Sequence, residues 1–394
     1  MDWNVPLFVL VISAAAFAGD GDVTYDLGKS TRLFASKVYQ KLADQPGNLL
    51  ISPLSVQTVL GLTQTGANGT TLEQMAAALD LPRDPQHVEW LFRNAQTSLN
   101  KKRSITLSSA NKVYVRDNIK LSQNFQNSAV HFGAEVASFD PAASEATANE
   151  INGWVERKTH DKIKDIVKPT DITTDTAMLL INALYFKGQW EYPFEPVATT
   201  KQAFMLNEQE SVPVDMMYVS GTFGYVENAE LDAKFLEMFY TDEDFSMTII
   251  LPNKIEGLKN ITANIEPYLA QKVKQYEYDY GSEVVVTLPK FKVEGEVQFK
   301  NVLEELGMTE AFANADLSGL TESTVPLQIS KVVQKTFIDV NESGTEAAAA
   351  TVAILVDRIV GGNPKTFIAN HPFLFVLRQR STGVVLFLGR YTGL

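Results

Sequence analysis

The chain has 394 residues, 45% hydrophobic and 21% charged, an ordinary globular balance that excludes disorder, collagen and coiled coil as whole-chain answers. Its 34 basic and 47 acidic residues leave a formal charge of −13, which excludes a chain-wide basic surface for nucleic acid or anionic membrane. The absence of cysteine excludes disulfide scaffolds, thiolate zinc sites and thiol nucleophiles together.

The first element is an apolar run from Val5 to Phe17, closed by Ala16-Phe17-Ala18 and the polar Gly19-Asp20-Gly21-Asp22. Although Asp2 stands in its n-region without Lys or Arg, residues 1–18 read as a secretory signal, so a secreted, extracellular chain is expected. No later uncharged run approaches the roughly 18 residues that span a membrane. There are no repeats and no linker, so residues 19–394 are expected to form a single domain.

Leu27, Phe34, Val38 and Leu42 share one helical face. Ser52 and Pro53 suit the cap and first turn of a second helix. The Gly66-Ala67-Asn68-Gly69 turn leads into a predicted helix over Thr70 to Leu81. Another helix carries Arg93 and ends in Lys101-Lys102-Arg103, and a stripe of Ile151, Trp154, Val155 and Ile163 predicts a helix over Ser144 to Val167. Strands are predicted at Ala177–Phe186, Phe245–Leu251, Glu283–Val293, Leu327–Val340, Phe373–Arg378 and Gly383–Leu388. The first is nearly all apolar, with Asn182 the exception, as a strand covered on both faces would be. Helices early and strands late argue an α+β fold with a large mixed sheet.

His87, His131, His160 and His371 are scattered, and no metalloprotease, nucleophile-elbow, dinucleotide or P-loop pattern occurs. No enzyme, cofactor or metal site is expected. The Lys101-Lys102-Arg103 cluster reads either as cations at a helix C-terminus, favoured by the macrodipole, or as a local polyanion-binding patch. Sequons at Asn68 and Asn260 resemble exposed turns open to glycosylation in a secreted chain, and a third begins at Asn341.

The most informative stretch runs from Val340 to Pro364. By local propensity Thr345 could cap a helix through the alanines. Read with period two, Thr345, Ala347, Ala349, Thr351, Ala353 and Leu355 form one small or apolar face, with Glu346 on the other and no charge from Ala347 to Val356. Such a segment could join a sheet without burying an ion.

Glu342-Ser343-Gly344-Thr345-Glu346-Ala347-Ala348-Ala349-Ala350-Thr351 resembles the small-residue hinge that inhibitory serpins place at the start of the reactive-centre loop. Phe367-Ile368-Ala369-Asn370-His371-Pro372-Phe373-Leu374-Phe375 resembles that family's C-terminal signature, and Asn182-Ala183-Leu184-Tyr185-Phe186-Lys187-Gly188-Gln189-Trp190 its central-strand motif. Ser52-Pro53-Leu54-Ser55 and Gly66 to Met75 resemble its early helices. The blocks keep the family's order from about Asp26 to Tyr391.

The resemblance implies the serpin fold: a large central sheet, two smaller sheets, eight or nine helices, and an exposed loop over about 342–366. It also implies suicide-substrate inhibition, in which a serine protease forms an acyl-enzyme at the bait bond and the freed hinge inserts into the central sheet, trapping the protease covalently. Counting as the family does puts the bait at Arg358-Ile359, and Arg358 is the sole basic residue between Glu346 and Lys365. A guanidinium there suits a trypsin-like pocket. Arg358-Ile359-Val360-Gly361-Gly362 further resembles the activation site of a trypsin-family zymogen, which points to an activating protease of a proteolytic cascade as partner. The family's shutter is matched by Ser52, Ser55 and Asn182, but Gln334 stands where a histidine is common, which puts a pH-sensitive shutter in doubt. A monomer is expected, without nucleic-acid or membrane partner. The alternative is a non-inhibitory serpin, a carrier, chaperone or storage protein whose loop is cut without insertion.

Overall fold

Asp26 opens the first helix, its carboxylate accepting the Gly28 N–H at 2.9 Å. Helix α1 (Leu27–Leu42) then turns Phe34, Val38 and Leu42 into the core, as their spacing predicts. The structure, a computed structural model, describes residues 26–101, 104–270, 283–345 and 364–393. The signal segment, Lys102, Arg103, the hinge from Glu346 to Thr351, and Arg358-Ile359 lie outside the described residues.

After β1 (Leu49–Ile51), Ser52 caps α2 (Pro53–Gln64), which is buried along its whole length. Helix α3 (Gly69–Leu79) follows with Asn68 at its N-cap. Helix α4 (Pro85–Leu99) closes on Asn100 with no basic residue in its last turn. The helix thus stops short of the basic cluster by its cap residue: Lys101 follows Asn100 directly, and Lys102 and Arg103 lie outside the described residues.

Strand β2 (Thr106–Arg116), α5 (Gln123–His131), β3 (Glu135–Phe139), α6 (Ser144–Lys158) and β4 (Met178–Gln189) follow. Helix α6 stops at Lys158 rather than Val167 because His160, Asp161 and Asp165 take positive φ (53°, 60° and 52°), which no helix continues through. Ile163, Ile166 and Val167 are buried nonetheless, and Asn152 holds the Val167 backbone through both its amide atoms.

The remaining strands are β5 (Thr200–Met205), β6 (Ser211–Thr222), β7 (Gly224–Asn228), β8 (Ala233–Phe239), β9 (Phe245–Pro252), β10 (Glu283–Pro289), β11 (Phe291–Gln298), β12 (Lys331–Asn341), β13 (Gly344–Thr345), β14 (Lys365–Ile368), β15 (Phe373–Gln379) and β16 (Val385–Tyr391). Short helices α7 (Leu258–Ala263), α8 (Glu266–Ala270) and α9 (Phe299–Glu305) stand among them. The predicted strand over Glu283–Val293 divides at Lys290, whose N–H donates to Asp215 O at 2.8 Å, and its halves join different sheets. The predicted strand from Leu327 becomes regular only at Lys331. Leu327 and Ile329 are buried in the approach to it, where the Ile329 N–H donates to Ala311 O.

Among the described residues there are three sheets, ordered β1-β16-β15-β9-β8-β7, β14-β10-β6-β5 and β11-β12-β13-β4-β2-β3. The last is covered on both faces, which explains the apolar sequence of β4. Leu180, Leu184 and Phe186 join the main core, while Leu179, Ile181, Ala183 and Tyr185 pack with Ile151, Trp154 and Val155 of α6. The expected α+β class with a large mixed sheet is what the structure has.

Candidate functional site

In the central sheet β12 and β4 pair in parallel from Lys331↔Leu179 to Phe337↔Tyr185. Beyond that point they part. Residues Glu342 and Ser343 reverse the chain in a two-residue hairpin, and β13 runs back antiparallel between them, pairing Val340↔Thr345 and Asn341↔Gly344 on one side and Gln189↔Gly344 and Gly188↔Thr345 on the other. Gly344 and Thr345 of the hinge are thus already sheet residues. Gly344 fits because it has no side chain: a Cβ there would lie 2.1 Å from Gly188 O. Thr345, fully buried, shares a 2.7 Å hydrogen bond with the Tyr240 hydroxyl, which burial keeps protonated by raising its pKa. Thr345 is therefore a strand residue paired on both sides; the alanines that would extend either a helix or a strand lie outside the described residues.

The reversal is held from several directions. The Trp190 backbone N–H donates to Ser343 O and its indole to Asn341 O, each at 3.1 Å. Phe194 N–H donates to Glu342 O at 2.8 Å. The Glu342 carboxylate accepts from Lys290 Nζ at 2.9 Å and from Thr199 Oγ1 at 3.0 Å. Partial burial alone would raise the Glu342 pKa, but these bonds, with one from the backbone, hold it below the usual carboxylate range.

Lower down lies a second cluster. Gln334, Asn182 and Asn111 stand opposite one another across β12, β4 and β2. The Ser52 N–H donates to Gln334 Oε1, and Gln334 Nε2 donates to Ser52 O, both at 2.9 Å, and to Asn182 Oδ1 at 2.6 Å. Asn182 Nδ2 donates to Ser55 Oγ and to Asn111 Oδ1, and Ser55 Oγ donates to Asn111 Oδ1 at 3.1 Å. The structure therefore brings Ser52, Ser55, Asn182 and Gln334 together in one buried network joining α2 to three strands. Sequence reading missed Asn111, which stands beside Lys112 and carries no sequence signal that sets it apart.

Other candidates stay apart. Lys101 is exposed, while Arg93 of α4 is held by Glu89 and shares a 3.0 Å hydrogen bond with His131 Nδ1. His131 and Ser128 both bond Glu89, at 2.7 and 2.9 Å, so they form no serine–histidine couple. Asn68 and Asn260 are exposed, Asn68 Nδ2 donating to Ser318 Oγ at 3.1 Å. Asn341 is half-buried, and its Oδ1 accepts the Ser343 N–H at 3.1 Å inside the hairpin.

A family model described as "Serpin (serine protease inhibitor)" matches residues 29–393. The chain is 37% identical over 363 residues to serine protease inhibitor 42Dd of Drosophila melanogaster, covering 90% of this chain and 94% of that one. The structure resembles Serpin48 of the insect Tenebrio molitor at 38% identity, with a TM-score of 0.85 over 93% of this chain and 98% of that one. It also resembles uncleaved ovalbumin, at 26% identity and a TM-score of 0.86 over 94% of this chain and all of that one.

Proposed function

The chain belongs to the serpin family, and we propose that within it this protein is a secreted suicide-substrate inhibitor of trypsin-like serine proteases, cleaved at Arg358-Ile359. Serpins generally act on serine proteases, yet inhibitory members and non-inhibitory ones such as ovalbumin both share this architecture. The choice between them rests on what the rest of the hinge would meet if it continued the path of Gly344-Thr345.

One observation carries the reading, the register of β13 on its two neighbours. Continued downward it would set Ala347 between Ile338 and Phe186, and Ala348 between Phe337 and Tyr185, small residues against large ones. Glu346 would stand between Lys187, a cation half-exposed on the sheet, and Asp339, whose carboxylate is held by Lys292 at 2.9 Å. Thr351 would fall between Gln334 and Asn182, where a hydroxyl could accept and donate in place of the amide bond that the incoming strand must part. The eleven residues from Gly344 to Ile354, with no proline and Glu346 as their one charge, therefore match a slot whose upper end is already open. A carrier that never inserts its loop needs none of this complementarity.

The Arg358 side chain would enter a trypsin-like pocket as bait, and Ile359-Val360-Gly361-Gly362 would occupy the primed side as a zymogen's new terminus does. Substituting Ile359→Ala and Val360→Ala should slow inhibition of the cascade proteases that cut such sites; unchanged rates remove the mimicry. The function as a whole is tested by incubating the mature chain with trypsin and running a denaturing gel. A complex that survives denaturation, with release of a fragment beginning at Ile359, is expected. Cleavage with trypsin left active makes the chain a substrate-type, non-inhibitory serpin.

A further inference from the structure

Two Asn-Gly pairs occur in the chain, Asn68-Gly69 and Asn152-Gly153. Such a pair carries its own reaction: the backbone nitrogen of the glycine, with no side chain to shield it, can attack the amide carbon of the asparagine. The fold treats the two pairs in opposite ways.

Asn152 lies in α6 with both ends of its amide engaged, Nδ2 donating to Val167 O at 2.8 Å and Oδ1 accepting the Val167 N–H at 3.0 Å. Gly153 is inside the same helix, where its N–H is committed to the helical ladder. Asn68 instead stands exposed at the N-cap of α3, and its side chain makes no cap bond. Its Nδ2 donates at the surface to Ser318 Oγ at 3.1 Å. The Gly69 N–H, the first of α3, has no acceptor among the described residues. Gly69 is exposed with φ +52°, and a Cβ built on it would meet nothing within 4 Å, so nothing crowds the attacking nitrogen. Closing the ring requires the extended Asn68 backbone (ψ 168°) to rotate, which releases the Leu72 N–H from Asn68 O and frays only the first turn of α3.

We propose that Asn68 is a site of spontaneous deamidation in the folded chain, and that its product loosens α3 from the turn at Ser318–Leu320. The Gly69 nitrogen bonds to Asn68 Cγ, the Cγ–Nδ2 bond breaks, and Nδ2 leaves as ammonia with the proton given up by Gly69. Water, the one co-reactant, then opens the five-membered imide at either carbonyl to give aspartate or isoaspartate. Either product replaces the donor to Ser318 Oγ with a carboxylate near Asp316, whose charge the Ser318 hydroxyl and N–H and the Asn68 amide hold below its usual pKa range. Isoaspartate also lengthens the backbone by one atom beside a tight crossing. There the Asn68 N–H donates to Asp316 O at 2.9 Å and the Gly319 N–H to Gly66 O at 3.0 Å, and a Cβ on Gly319 would lie 2.8 Å from Gly66 Cα. A sugar on Asn68 would occupy the nitrogen that must leave, so the reaction belongs to chains in which this sequon is bare.

The test is peptide mapping of the mature chain made in bacterial cytoplasm, where Asn68 receives no sugar, after storage in mildly alkaline buffer, with a second sample unfolded in urea. In the folded sample the Asn68 peptide should gain about 1 Da roughly tenfold faster than the Asn152 peptide, while in urea the two should convert at similar rates. Asn68→Gln, whose longer side chain cannot close the five-membered ring, should show no gain at this position. An Asn68 peptide that stays unchanged in the folded chain, or converts no faster than Asn152, overturns the site. The converted chain, separated by anion exchange, should melt below the parent; equal melting temperatures overturn the loosening.

Discussion

Gln334 and Asn182 face each other across the parallel strands β12 and β4, and the Gln334 amide donates to Asn182 Oδ1 at 2.6 Å while also spanning both backbone groups of Ser52. A strand entering between β12 and β4 must part this pair. The network is therefore both a clasp on the uncleaved sheet and a gauge of how readily it opens.

Removing the clasp should be costly. Gln334→Ala leaves the Ser52 N–H and Asn182 Oδ1 without a buried partner and the Ser52 carbonyl with the Val56 N–H alone, and we expect a loss of about 2–3 kcal/mol in the uncleaved form. Denaturant unfolding measures it. A variant as stable as the parent would mean that the network contributes nothing net.

Thr345→Arg tests the hinge. The side chain is fully buried against Tyr240, and an arginine there has no acid to meet on either neighbouring strand position, Val340 or Gly188. Denaturing gels with trypsin should show cleavage after Arg358 persisting while the covalent complex disappears. Persistence of the complex at parental yield would contradict insertion through this slot.

Thr351→Val separates the two states. In the uncleaved chain the substitution should leave the melting temperature unchanged, because the Gln334–Asn182 bond is closed. In the cleaved chain it should cost about 1–2 kcal/mol, because both amides then face a methyl group. Equal effects on the two forms, by calorimetry, would place Thr351 elsewhere.

The Glu342–Lys290 contact gives a pH dependence with a definite sign. Partial burial opposes ionisation of Glu342, but the bonds from Lys290, the backbone and Thr199 outweigh it and lower its pKa. The unfolded chain then binds more protons near its ordinary carboxylate pKa of about 4.3, so this contribution is complete above that value and fades as pH falls through the lower folded value. Glu342→Gln should melt below the parent at pH 7, by an amount of the order of 1 kcal/mol, with the gap closing below about pH 4. A gap independent of pH would assign the effect to packing.

Asn341 should carry no glycan although it begins a sequon. Its backbone pairs with Gly344 and its side-chain oxygen holds the Ser343 N–H within the two-residue turn, so a sugar there would crowd the hinge. Glycopeptide mapping of the chain expressed through a eukaryotic secretory pathway should find Asn341 bare and sugar confined to the exposed Asn68 and Asn260.

Much of the site was readable in the sequence because its motifs are contiguous. The nearly all-apolar run before Phe186 announces a strand covered twice, and the small residues after Gly344 announce a segment fit for a sheet. What escaped depends on contacts between distant positions. Lys290 and Tyr240 gain their roles from where they meet Glu342 and Thr345, and Asn111 from standing in register with Asn182. Nor does a helical stripe through Ile163 reveal that His160 and Asp161 turn to positive φ and end α6 at Lys158. Side-chain spacing records which face is buried, and it does not record where the backbone changes course.

The central claim is that the loop joins the sheet once cut, and the most direct measurement is the melting temperature of the mature chain before and after cleavage at Arg358. Adding a strand paired on both sides along the register of Gly344-Thr345 should raise it by more than about 10 °C. A cleaved chain that melts at or below the uncleaved one would contradict insertion.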